Sequence, residues 1–185
     1  MAVQDRLYTA EDLLNLPHDA MRYELVEGHL IEMSPSGKVH GLITNIIAYL
    51  LTGHVLSHKL GRVYGAETGF KLAENPDTVY GIDVAFVSKG RIEPGKEGYF
   101  IGAPDLAVEV YSPGNRKTEM QTKIEDCFQA GSRMIWVVYP KSQTIYVYRA
   151  ENDVRILHKS ETLDGGDVIP GFSLKIADIF AVLDE

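Results

Sequence analysis

Ile82-Asp83-Val84-Ala85-Phe86-Val87 and, further on, Leu106-Ala107-Val108-Glu109-Val110-Tyr111 read as two β-strands. In the first, Ile82, Val84 and Phe86 share one face, and Asp83, Ala85 and Val87 the other. In the second, Leu106, Val108 and Val110 share one face, and Ala107, Glu109 and Tyr111 the other. Both strands are apolar on both faces, the pattern of central strands covered from above and below. Each nevertheless carries one carboxylate in mid-strand. An ionised carboxylate buried alone is costly, so it must neutralise, pair or bind a metal. Two acids on neighbouring strands would suit one hard cation such as Mg²⁺, held by oxygen ligands and water. The plainer alternative puts each acid at a strand end, facing solvent or an arginine.

The helix that follows, about Lys117 to Ala130, carries a buried stripe of Met120, Ile124, Cys127 and Phe128. Lys123 stands about 40° from Cys127 around that helix, at the edge of the stripe. Its ammonium can reach into the cleft between helix and sheet. The alternative partner is Glu119, four residues upstream, in an ordinary surface pair.

Outward from this centre the chain reads as one mixed α/β domain over residues 1–185. Thr9 with Asp12 caps a short helix that ends at Pro17. Arg22 to Met33 is a hairpin turning at Glu27-Gly28. His40 to Leu60 is a long helix, with Leu42/Ile43, Ile46/Ile47, Leu50/Leu51 and Val55 recurring every four residues. Arg62 to Ala73 is predicted as one strand and Tyr80 to Val87 as the next, followed by a loop over Lys89 to Gly102. After the second helix, Met134 to Tyr139 and Thr144 to Arg149 form a hairpin around Pro140-Lys141-Ser142-Gln143. Val154 to Lys159 adds a strand, Gly165-Gly166 a turn, and Ile176 to Leu183 a closing helical turn or two.

With 185 residues, 45% hydrophobic and 24% charged, the chain has ordinary globular composition. Its net charge of −8 argues against an extended, non-specific nucleic-acid coat, though not against a local basic patch. A single cysteine, Cys127, leaves no intrachain disulfide and no multi-cysteine zinc site. The residues after Met1 show no apolar leader segment, and a cytoplasmic location is expected. The longest apolar run, Ile46 to Leu51, is far short of the roughly 20 residues a bilayer needs, so no membrane is expected. His54 and His58 stand i,i+4 on a helix, but Val55 stands where a zinc protease needs Glu, so they read as surface histidines. No phosphate-cradling glycine loop and no Gly-x-Ser-x-Gly elbow occurs.

The chain resembles the PD-(D/E)xK nuclease superfamily, of restriction-endonuclease-like fold. Within it, the chain is similar to the Uma-two family of bacterial endonucleases. The resembling stretches are Tyr23 to Gly28, Met33 to Ser36, Ile82 to Val87, Pro104 to Pro113, Lys123 to Gly131, Trp136 to Pro140 and Pro170 to Phe172. No single one is specific; their succession in order is. The implied fold is a helix, three strands, a helix and a strand around a central mixed sheet, with the N-terminal hairpin and extra C-terminal strands.

The resemblance implies that Asp83 and Glu109 are catalytic acids holding Mg²⁺ or Mn²⁺, with the Val110 carbonyl completing the coordination. The superfamily's lysine would stand two residues after Glu109, where this chain has Tyr111; the family's lysine on the following helix matches Lys123. Gly81-Ile82 also stands where the family has a proline next to the acid. Glu24 and His40 match family positions. Glu24 is an extra ligand or a loop anchor, and His40 a phosphate contact or a helix-start packing residue. Asn115, Arg116 and Lys117 would hold neighbouring phosphates, or be a solvated helix start. DNA is the implied partner and a homodimer the implied assembly. The expected activity is metal-dependent phosphodiester hydrolysis. Its rivals are a nucleic-acid-binding or regulatory module without turnover, and a hydrolase of smaller phosphate-containing substrates.

Overall fold

The computed structural model describes residues 6–17, 21–65, 68–93, 95, 97–112, 114 and 116–183. Helix α1 (Ala10–Leu14) is capped as its sequence predicts, with reciprocal hydrogen bonds between Thr9 and Asp12. Strands β1 (Arg22–Val26) and β2 (His29–Met33) form the hairpin. Its two turn residues, Glu27 and Gly28, both have positive φ, as a two-residue turn of this hand requires. A side chain at Gly28 would also strike Leu7. Helix α2 (Lys38–Ser57) follows, then β3 (Gly61–Tyr64), β4 (Thr68–Ala73), β5 (Thr78–Ile82), β6 (Val84–Ser88), a 3₁₀ turn over Lys89–Arg91, β7 (Phe100–Ile101) and β8 (Leu106–Val110). Helix α3 (Lys117–Gln129) leads into β9 (Met134–Tyr139), β10 (Thr144–Ala150), β11 (Asp153–Leu157), β12 (Thr162–Asp164) and β13 (Ser173–Lys175). Helix α4 (Ile176–Phe180) and a 3₁₀ turn close the described chain.

The strands fall into two main sheets. One has the order β2-β1-β5-β4-β7; the other has the order β11-β10-β9-β8-β6-β3, with β12-β13 as a separate ribbon. In the second sheet β6 and β8 are antiparallel and β8 and β9 parallel, so the sheet is mixed. One of its faces packs Val84, Phe86, Val108 and Val110 against Ile43, Ile47, Leu51 and Val55 of α2. The other packs Ala85, Val87, Ala107 and Val137 against Met120, Ile124 and Cys127 of α3, together with Phe70, Tyr80 and Ile82 from the first sheet. A cluster of this kind excludes water on both faces of β8, which is why each of its residues is buried.

Three readings of the sequence need correction. The strand expected over Arg62 to Ala73 is two strands, β3 and β4, in different sheets. The strand expected over Tyr80 to Val87 is likewise two, parted by a bend at Asp83. The bend slips the alternation by one: Tyr80 and Ile82 share a core with Ala85 and Val87 rather than with Val84 and Phe86. An unbroken period of two hid both breaks. The third correction is α2, whose length and mean hydropathy of 1.4 would suffice to cross a membrane. A run of consecutive apolar residues is the wrong measure for it, because glycines and threonines interrupt the run without lowering the mean enough. Its apolar stripe is nevertheless spent on the core.

Candidate functional site

Lys123 leaves the middle of α3 and enters the space where the two sheets meet. Its ammonium lies 3.0 Å from Glu109 Oε1 on β8 and 3.1 Å from Glu24 Oε1 on β1. It also donates to the carbonyl of Gly81 on β5 at 2.9 Å. Two of the ammonium's three N–H donors are thus hydrogen-bonded, to Glu24 Oε1 and to the Gly81 carbonyl, while Glu109 Oε1 faces it as an ion pair. Glu24 Oε1 takes a second hydrogen bond from the Gly81 N–H at 3.0 Å. The side chains of Glu24, Glu109 and Lys123 are at most 12% exposed. The Tyr80 ring stands 5.2 Å from the ammonium, and its hydroxyl donates to Asp126 Oδ2 at 2.8 Å.

Asp83 belongs to the same centre through the backbone. Val84 pairs with Val108, so Asp83 and Glu109 are the next positions along the two strands. At the bend the ladder stops, and the Asp83 side chain replaces it: the Val110 N–H donates to Asp83 Oδ2 at 2.8 Å. The following N–H, of Tyr111, turns to β9 and donates to Val138. On its other side Asp83 Oδ2 is 3.0 Å from His40 Nε2, which the first turn of α2 supplies. His40 Nδ1 faces the Thr44 hydroxyl at 3.5 Å, one turn further on.

Glu24, Asp83 and Glu109 thus place three carboxylates around one ammonium and one imidazole. Burial of Glu109 pushes its carboxyl up to about 8; the charges of Asp83 and Glu24 add to the rise, and Lys123 opposes it. Burial by itself would lower Lys123, but the charges of Glu109 and Glu24 outweigh it and hold the ammonium above its ordinary value. Lys123 therefore stays charged, and Glu109 is the group that gives way. Glu109 Oε1 is fully enclosed and takes no well-aligned hydrogen bond among the described residues; the ammonium is its close partner. Burial also pushes the Cys127 thiol up to about 12, which suits a core residue and not a nucleophile.

Of the residues singled out from the sequence, the structure gathers Glu24, Glu109 and Lys123 into one contact set. Asp83, His40 and Val110 form a second set beside it. Lys123 is not the partner of Glu119; that carboxylate instead faces Arg116 at 3.7 Å, on the exposed start of α3. Arg116 and Lys117 are both exposed there. Asn115 lies outside the described residues. Gly81, Tyr80 and Asp126 escaped the sequence reading. Gly81 acts through its main chain, which leaves no side-chain signal, whereas Asp126, one turn beyond Lys123, could have been found by helical spacing.

The donor set suits a hard divalent cation: carboxylates, a nearby main chain, and one enclosed carboxylate oxygen without an aligned donor. With the side chains as they stand, no three His, Cys, Asp or Glu residues among those described are grouped to hold a metal ion. The cation that Glu24 and Glu109 share is the Lys123 ammonium.

No curated protein matches the chain. Among solved structures, "a putative nuclease belonging to DUF820" from Anabaena variabilis superposes with a TM-score of 0.82 at 23% identity. The match covers 95% of this chain and 98% of that one, so the two share a fold from end to end. The family model Uma2, described as "Putative restriction endonuclease", matches residues 10–177, which include every residue of the cluster. The chain belongs to the Uma2 family.

Proposed function

We propose that the protein is an endonuclease that hydrolyses phosphodiester bonds in DNA with Mg²⁺ or Mn²⁺. Asp83 and Glu109 would hold the ion, with the Val110 carbonyl, and Lys123 would assist the reaction. The observation that carries this reading is the approach of Lys123 to Glu109 across a helix–sheet gap, at 3.0 Å and out of water. A surface lysine gains little from such a place, while a group that must meet developing negative charge gains a fixed position in a dry site. A divalent ion supplies polarisation of the phosphate and a more acidic bound water. This chain's residues supply the rest. Glu24 and the Gly81 carbonyl orient the ammonium, and His40 and the Val110 N–H hold the Asp83 carboxylate. If Glu109 turns to the ion, one ammonium N–H is released toward the phosphate or the attacking water. A second copy of the chain, setting two centres against the two strands of a duplex, belongs to the same proposal by analogy of fold, and sedimentation velocity decides it.

One observation favours a rival reading, a nucleic-acid-binding module without turnover: among the described residues no three His, Cys, Asp or Glu side chains are grouped to hold a metal ion, and the Lys123 ammonium lies between Glu24 and Glu109. Cleavage of plasmid and oligonucleotides with Mn²⁺ separates the two. Wild type should cut, Asp83→Asn and Glu109→Gln should not, and Lys123→Met should lose about 10²-fold or more in variants shown to be folded. Activity indifferent to Asp83→Asn would remove the proposed centre, and no cleavage under any metal would favour the module.

A further inference from the structure

Beside the His40 side of the cluster lies a groove of about 1090 Å³, between the start of α2 and the β9–β10 turn. Its wall is mostly apolar, from Tyr111, Tyr139, Pro140 and Leu183 among others, with Lys38, His40 and Lys141 as its basic groups. Although the chain carries a net charge of −8, no carboxylate lines the groove among the described residues. Its charged lining consists of Lys38 and Lys141, with His40 between them and Asp83. That volume is at the upper end of the range of small-molecule pockets, so size alone admits a compact ligand or a short length of polymer.

The tyrosines are placed by the register of the sheet. Glu109 pairs with Val137, and two positions on along β8 and β9, on the same face, stand Tyr111 and Tyr139. Their rings lie 4.9 Å apart, tilted by 33°. Tyr146 on β10 extends the row, 4.7 Å from Tyr139. The aromatic row is therefore the next cross-strand step from the acid, and the groove meets the cluster through His40 on one side and through β8 on the other.

We infer that this groove binds a single-stranded stretch of DNA, with unstacked bases on the Tyr111–Tyr139 rings and phosphates toward Lys38 and Lys141. Aromatic faces accept any base that is out of its stack, and lysines track the backbone. A continuous duplex keeps its base faces covered and has nothing to offer the rings. The inference takes DNA as substrate from the proposed function; the groove itself rests on charge and register.

The test is fluorescence anisotropy in EDTA, so that binding is read without cleavage. The probes are a labelled oligothymidine of about ten nucleotides, within the span of such binding surfaces, and a duplex of equal length. The single strand should bind at least several-fold tighter. Tyr139→Leu keeps the apolar contact in the sheet and removes the stacking face, so it should weaken single-strand binding about tenfold; Tyr139→Phe should stay within about twofold. Lys141→Gln, on a turn, cannot upset the core and should lower the salt dependence by the share of about one phosphate. Equal or tighter duplex binding overturns the inference, as does wild-type affinity in both Tyr139→Leu and Lys141→Gln. So does a wild-type dimer that Tyr139→Leu dissolves, since the groove would then be the seam between copies. Cleavage assays keep the two ideas apart. Tyrosine-dependent binding without cleavage under any metal leaves the groove and removes the nuclease. Cleavage that Asp83→Asn abolishes, beside single-strand binding indifferent to both Tyr139→Leu and Lys141→Gln, does the reverse.

Discussion

A carboxyl held at about 8 inside a protein has a measurable consequence for stability. Glu109 binds its proton more tightly in the folded chain than in the unfolded one, where its ordinary value is 4.5. Between those values the folded state carries more protons, so stability must fall as pH rises from 4.5 toward 8, by a few kcal/mol at most. Below 4.5 the contribution is fully present, and above 8 it is gone. Thermal melts of the metal-free protein across that range should show the decline, and Glu109→Gln, which keeps the shape and cannot ionise, should flatten it. A wild-type curve that rises through the same window would mean that Glu109 is ionised throughout. Lys123 yields a second expectation. Removing one partner of a buried ion pair leaves an uncompensated charge, so Lys123→Met should cost about 3 kcal/mol or more at pH 8. Had Lys123 been the surface partner of Glu119, the loss would be a few tenths of a kcal/mol. Because Glu109 and Glu24 are the charges left behind, acidification should restore part of the loss. Urea titrations of the variant at two pH values read both effects.

At the scale of elements, the bend at Asp83 does the positioning. It ends one sheet and begins the other, and it frees the acid from the ladder so that its side chain can take the Val110 N–H. Asn at this position still offers an oxygen to that N–H while losing the charge. Asp83→Asn should therefore fold, with a change in stability within about 1 kcal/mol, the worth of a neutral rather than charge-assisted bond. Asp83→Ala, which leaves the N–H without its acceptor, should cost more, and circular dichroism melts compare the two. The sequence was legible here in an uneven way. α3, β8, β9 and β10 stood out because apolar residues alternate or recur without interruption and the turns carry glycine or proline. The division between β3 and β4 and the bend at Asp83 were hidden, because Gly65 and a lone aspartate are compatible with an unbroken strand. β7, β12 and β13 are two or three residues long, too short for any period to show. Asp83, Glu109 and Lys123 were legible as charges out of place on apolar elements. Which oxygens Lys123 touches was not, because Glu24 lies 99 residues away along the chain and Gly81 contributes only its main chain.

For the molecule as a whole, the excess of acid is a reason to expect cations to stabilise it. A divalent ion that binds the folded chain alone raises stability by mass action, by about 2.7 kcal/mol at a hundred times its dissociation constant. In the proposed centre that ion competes with two resident charges, the proton of Glu109 and the ammonium of Lys123. Its binding must release the proton, so the stabilisation by millimolar Mn²⁺ should grow with pH up to about 8, opposite in sign to the decline of the metal-free protein. Lys123→Gln removes the rival cation and should bind Mn²⁺ more tightly than wild type, while Glu109→Gln and Asp83→Asn should abolish the effect. Differential scanning fluorimetry at pH 6 and pH 8, with and without Mn²⁺, measures each of these. A Mn²⁺ shift that persists in both acid variants would place the ion elsewhere on the acidic surface. A shift that is independent of pH and unchanged in Lys123→Gln would mean that the ion neither displaces the proton nor meets the lysine.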